Sequence, residues 1–164
     1  GEYDVVLGDA MTPRSLDDIR AYVKSTKLPF IIKGVLGAHD AKKCLDAGVS
    51  GIVVSHHHGI MPFAVPPLLV LPEIVDAVGG KMDIFVDCGV STGMDVFKAL
   101  ALGATAVSAG RIVMGPLAAE GPAGIVRVIE SMTRELAGAM ARTASPDIRG
   151  IDASLLWRES GRIR

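Results

Sequence analysis

Ile84-Phe85-Val86-Asp87-Cys88-Gly89-Val90-Ser91-Thr92-Gly93 decides the fold. An apolar run ends in an acid, a glycine-containing turn follows, and Thr92 stands where a helix begins, with Asp95 in its first turn. Buried parallel strands read as unbroken apolar runs, so this stretch is one strand–helix unit. Three other runs share the design: Phe30-Ile31-Ile32-Lys33-Gly34, Gly51-Ile52-Val53-Val54-Ser55-His56-His57-His58-Gly59 and Ala106-Val107-Ser108-Ala109-Gly110-Arg111. They recur every ~20–30 residues, the length of such a unit. In a barrel of these units the C-terminal strand ends face one site. Lys33, the histidines, Asp87 and Arg111 are therefore expected to converge, although far apart in sequence.

The segments between the runs read as helices. Thr12-Pro13 and then Ser15-Leu16-Asp17-Asp18 mark a start, and that helix reaches Ser25. Gly37–Ala47 is a short helix closed by Gly48, and Leu68–Val78 one ended by Gly79-Gly80. Thr92–Leu102 follows, and Ala123–Ala141 is the longest, with Ile125, Val128, Ile129, Met132, Leu136 and Met140 near helical spacing. The segment from Thr143 is irregular, with a last turn at Ala153–Trp157. The fold class is α/β. Four strand–helix units are half of a TIM (β/α)8 barrel, since the eight-stranded barrel normally takes ~250 residues. Residues 1–142 are read as the C-terminal half of such a barrel and residues 143–164 as a tail. Alone, a half barrel exposes two sheet edges. The expectation is a fragment of a longer protein, with Gly1–Ala10 a structureless loop remnant; a half barrel that dimerises is the alternative.

Composition narrows the function. The chain has 164 residues, 49% hydrophobic, with 19 glycines and a formal net charge of −1, as a globular unit does. Near-zero charge and 4% aromatics give no reason to expect nucleic acid. No apolar run approaches the ~20 residues of a membrane span, and the acidic start Gly1-Glu2-Tyr3-Asp4 lacks the basic flank of a signal peptide. Cys44 and Cys88 alone do not make a disulfide framework, so a reducing cytoplasm is the expected location.

The chemistry sits after the strands. Backbone N–H groups of the turn Asp87 to Gly93 and of the helix start form an anion site, and Gly110-Arg111 adds a bidentate donor suited to phosphate. Lys33 follows apolar residues, and a buried unpaired ammonium is costly, so it is expected to face an anion or an electron-rich ring. Successive histidines cannot all face one way, and no nearby acid completes a zinc set, so no metal site is expected. One of His56, His57 and His58 suits a proton acceptor; a histidine satisfied structurally is the competing reading.

Taken in order, Lys33-Gly34, Ser55 to Gly59, Leu71-Pro72-Glu73-Ile74-Val75, Asp87 to Ala104 and Gly110-Arg111 resemble the FMN-dependent α-hydroxy acid dehydrogenases and oxidases, the glycolate oxidase and lactate oxidase group. The resemblance spans Ser15 to Met140. It implies the second half of a TIM barrel, FMN as cofactor and oxidation at a CH–OH group. Lys33 would touch the flavin N1–O2 edge and stabilise the reduced ring. Ser55 would bond the ring, and His57 would be the base that takes the substrate proton. Asp87 would orient that histidine. The turn Asp87, Cys88, Gly89, Val90, Ser91 would hold ribityl and phosphate groups, and Gly110 with Arg111 the phosphate. The implied catalytic set is His57, Asp87 and Lys33.

Five departures from the pattern stand out. His56 replaces an asparagine, His58 a glycine and Met61 a glutamine. Ile60 replaces the arginine that pairs with a substrate carboxylate, and Ser91 replaces the arginine of the phosphate turn. Without the carboxylate clamp, the expected substrate is not a simple glycolate or lactate. A flavin-dependent isomerase of the type 2 isopentenyl diphosphate isomerase kind and a catalytically idle flavin-binding protein are the alternatives. The expected partners are a small-molecule substrate, the N-terminal half of the same barrel and further copies in a homo-oligomer, with no nucleic acid and no membrane.

Overall fold

The computed structural model describes residues 5–6, 9–10, 14–60 and 62–157. The expected helix signal Thr12-Pro13, Met61 at the glutamine position beside the clamp, and the last part of the expected tail, residues 158–164, lie outside the described residues. Strand β1 (Val5–Val6) pairs antiparallel with β2 (Asp9–Ala10). This corrects the expectation of a structureless start: pairing two residues long is too short to show a period in the sequence.

The remaining elements follow in the expected alternation: α1 (Leu16–Lys24), β3 (Ile31–Val35), α2 (Ala38–Asp46), β4 (Gly51–Val54), α3 (Pro67–Val78), β5 (Asp83–Val86), α4 (Gly93–Ala101), β6 (Ala106–Val107), α5 (Met114–Glu120) and α6 (Pro122–Arg142). Helices α1 and α4 begin as their sequences dictate. Ser15 Oγ accepts from Asp18 N–H at 3.1 Å while the Asp18 carboxylate accepts from Ser15 N–H at 2.9 Å; Thr92 and Asp95 repeat the reciprocal pair.

Strands β3, β4, β5 and β6 form one parallel sheet in sequence order. Sequential parallel neighbours are the winding of half a (β/α)8 barrel. The pleat separates two faces. Ile52, Val54, Ile84 and Val86 are buried in one cluster with Ala41 and Cys44 of α2, Leu71, Ile74 and Val78 of α3 and Ala99 of α4. Lys33, Val53 and Phe85, in register across the sheet, face the other way and are only partly covered. That second face corresponds to the lumen of a closed barrel. Phe85 lies across Gly51 there: a Cβ on Gly51 would come 3.2 Å from the ring.

Two details differ from the sequence reading. The strand expected to end near Gly110 stops pairing at Val107, although Ser108 N–H still donates to Val86 O at 2.9 Å. Helix α5 went unread because Gly115, Pro116 and the Gly121-Pro122 break hide its pattern. Proline is tolerated in a first turn, and Gly121 at φ +63 lets the chain turn before Pro122 opens α6.

Helix α4 is pressed directly on α6. A Cβ on Gly93 would lie 2.2 Å from Met132 O and 2.5 Å from Leu136 N. Gly93→Ala is expected to destabilise the protein by ~3 kcal/mol or more, because backbone rather than a flexible side chain must move. Gly115→Ala, where a Cβ meets nothing within 4 Å, should instead be neutral or stabilise by up to ~1 kcal/mol. Thermal unfolding of the two variants checks the contrast.

Candidate functional site at the strand ends

Each strand delivers one polar side chain to the same end of the sheet. Lys33, on β3, reaches across β4 on the open face and pairs with Asp87, just past the end of β5. Asp87 is 5% exposed, so its carboxylate must be partnered inside the protein. Its other oxygen accepts from Cys88 Sγ at 2.9 Å. Cys88 Sγ also lies 3.5 Å from Ser55 Oγ, at the end of β4, and accepts from His58 N–H at 3.4 Å. Ser55 Oγ in turn accepts from His57 N–H at 3.1 Å. One network thus ties the ends of β3, β4 and β5 together. Burial pushes the Asp87 carboxyl up, but hydrogen bonding from Cys88, Lys33 and the Ser55 hydroxyl, with the lysine's charge, more than offsets it and holds the group below the ordinary carboxylate value.

The three histidines separate. His56 Nδ1 accepts from Gly59 N–H at 3.1 Å, which places that ring in a structural role. His57 and His58 both have left-handed backbones, φ +53 and +55. The His57 ring lies over the backbone of Gly34, where a Cβ would come 2.7 Å from its Cε1. The His58 ring points away toward β6, with Nε2 3.9 Å from the position of a Cβ on Gly110. Among the described residues no three His, Cys, Asp and Glu side chains are grouped to hold a metal.

A cavity of about 180 Å³ opens beside the network, lined by His58, the turn Cys88 to Ser91, Ser108 and the segment Gly110 to Ile112. Arg111 is exposed there and pairs with no carboxylate among the described residues. The anion donors differ from the sequence expectation. The helix start is already occupied: Gly93 N–H donates to Glu135 Oε2 at 2.7 Å, and Ser91 and Thr92 N–H donate to Asp95 Oδ2 at 3.1 and 2.9 Å. The amides of Gly89 and Val90, upstream of the helix, donate to no acceptor among the described residues, and these remain for a ligand.

The expected residues Lys33, Ser55, Asp87 and Cys88 come together, with His57 beside them; Gly89, Val90, Ser91, Gly110 and Arg111 line or flank the cavity. The expected contact from Asp87 to His57 is not present among the described residues; the carboxylate pairs instead with Lys33 and the Cys88 thiol. Sequence reasoning missed Cys88 as the centre of the network, Gly34 as the seat of His57 and Glu135 as the cap of α4. Only Cys88 left a signal, a thiol where a turn calls for glycine; its φ is +66.

The whole constellation falls within residues 4–158, which match the profile of the FMN-dependent dehydrogenase family. The chain belongs to that family. It is 44% identical over 143 residues to 2-hydroxyacid oxidase 1 of Mus musculus, covering 87% of this chain and 39% of that protein. It is 41% identical over 146 residues to an L-lactate oxidase of Roseobacter sp. (strain GAI101), covering 88% of this chain and 40% of that protein. A crystal structure of mandelate oxidase with benzoyl-formic acid superposes with a TM-score of 0.76 at 43% identity, over 80% of this chain and 40% of that one. The chain therefore spans about two fifths of the length of these family members.

The depressed Asp87 fixes a pH dependence. A carboxyl lowered in the folded state contributes stability above its unfolded value, about 3.9, and that contribution is lost as pH falls through the folded value. Asp87→Asn is expected to be less stable than the parent at neutral pH but to lose less on acidification below about pH 4. Urea unfolding at a series of acidic pH values checks this.

Proposed function

We propose that residues 1–142 are the C-terminal half of an FMN-dependent enzyme that oxidises a 2-hydroxy acid at its CH–OH group, with residues 143–164 as a tail. The observation that carries this reading is the linked Lys33, Asp87, Cys88 and Ser55 network at the strand ends, flanked by His57 on one side and the Arg111 cavity on the other. The N-terminal half of the same barrel would cover the open sheet face and the free edge of β3.

The donor set fits FMN. Among the described residues, the Gly89 and Val90 amides donate to no acceptor and the Arg111 guanidinium pairs with no carboxylate, which suits phosphate, and Gly110 leaves room that a side chain would fill. Lys33, held by Asp87 on the lumen face, supplies a fixed positive charge to stabilise an anionic ring. Bound FMN supplies the two-electron acceptor. His57 holds the position of the base. Its ring makes no hydrogen bond among the described residues, so an imidazole nitrogen is free to take the substrate hydroxyl proton, and Gly34 and the Ser55 bond fix where that nitrogen stands.

The loop after the histidines carries Ile60, which is 72% exposed. An isoleucine offers no guanidinium, so small hydroxy acids lack a carboxylate clamp at this position. The proposed substrate is accordingly a 2-hydroxy acid other than glycolate or lactate.

Three outcomes test the proposal in the whole protein. His57→Ala should lower substrate-driven flavin reduction by ~100–10,000-fold with flavin still bound, read by stopped-flow absorbance. Arg111→Ala should weaken FMN more than riboflavin, because only FMN carries the phosphate. Ile60→Arg should speed flavin reduction by lactate by ~10- to 100-fold, the worth of a charge-assisted hydrogen bond. Rapid reduction by lactate in the parent would overturn the substrate assignment.

A further inference from the structure

The cavity beside the network has a one-sided chemistry. Its polar side chains are the Ser91 and Ser108 hydroxyls, the Cys88 thiol, the His58 imidazole and the Arg111 guanidinium, and no carboxylate lines it. Among the described residues it offers donors, including a cation, and nothing that carries negative charge. His58 is the member with no other occupation. His56 uses its ring to close the turn, and His57 rests on Gly34. The His58 ring, half-buried, makes no hydrogen bond among the described residues. Its backbone is nonetheless fixed: His58 N–H donates to Cys88 Sγ at 3.4 Å, which aims the ring at the cavity. Nε2 stands 3.9 Å from where a Cβ of Gly110 would be, beside the residue that carries the guanidinium.

We propose that His58 is a ligand of the FMN phosphate, acting together with Arg111 in this cavity; the proposal rests on the FMN reading above. The imidazole N–H donates to a phosphate oxygen, supplying from the histidine loop a contact in the cavity where Ser91 stands in place of the family's arginine. His58 is thus a binding residue, separate from the proton transfer assigned to His57.

The test is binding to the whole protein stripped of flavin, with FMN and riboflavin titrated separately by fluorescence. The variants are His58→Gly and His58→Gly combined with Ser91→Arg. Glycine adopts φ +55 without strain, so His58→Gly retains the fold, and its thermal unfolding is recorded alongside. The expected result is that His58→Gly weakens FMN by about tenfold while riboflavin affinity is unchanged, the size of a partly exposed charge-assisted hydrogen bond. Adding Ser91→Arg should recover most of the lost FMN affinity, because a guanidinium then enters the same cavity. Equal loss for FMN and riboflavin would mean that His58 only shapes the loop, and unchanged FMN affinity would mean that it does not touch the phosphate; either overturns the inference and leaves FMN binding standing. A parent that binds neither ligand overturns the FMN reading and this inference together.

Discussion

A carboxylate held almost out of water organises this half barrel. Asp87 stands where β5 stops, and at that depth an unpartnered charge would cost far more than the fold could recover from its other contacts. The solution is to bring partners to it from both sides. Lys33 crosses β4 to meet one oxygen, and Cys88 turns its thiol back to the other. That demand explains why β3 must stay in register with β4 and β5, and why the open face carries a lysine where an apolar residue would otherwise sit.

Backbone geometry is arranged around the same point. Cys88, His57 and His58 all occupy the left-handed region, which side chains other than glycine rarely adopt. Strain of that kind persists only where surrounding contacts over-determine it. Here the contacts are mutual: the thiol holds the His58 amide, Ser55 holds the His57 amide, and Gly34 leaves the gap the His57 ring needs. The two imidazoles consequently point in opposite directions from adjacent positions, one toward the lysine strand and one toward the arginine cavity.

The fold was legible because its signals are local. Unbroken apolar runs and capped helix starts survive in the sequence, and Ser15-Asp18 and Thr92-Asp95 can be read as they stand. The half-barrel size followed from counting units. The site was legible as a set of residues, since strand ends converge in any such barrel, but its wiring was not. Which oxygen of Asp87 takes the Cys88 thiol, and which ring rests on Gly34, depend on side-chain directions that spacing does not encode. The helix start of α4 shows the limit best. Its sequence offers free amides, yet a carboxylate on α6, 42 residues later, takes one of them. Helix α5 was hidden for the opposite reason, its glycine and proline reading as a loop although the first turn admits them.

That carboxylate has an effect on selectivity. The positive end of a helix dipole attracts any passing anion, whatever its shape. With Glu135 seated on Gly93 and Asp95 on Ser91 and Thr92, the end of α4 is neutralised from within the chain. Sulfate, chloride or a stray carboxylate finds no opening there. In the proposed FMN site, contacts to the phosphate are left to the glycine turn and the arginine loop. Prior occupancy by the protein's own acids thus closes the start of α4 to an incoming anion.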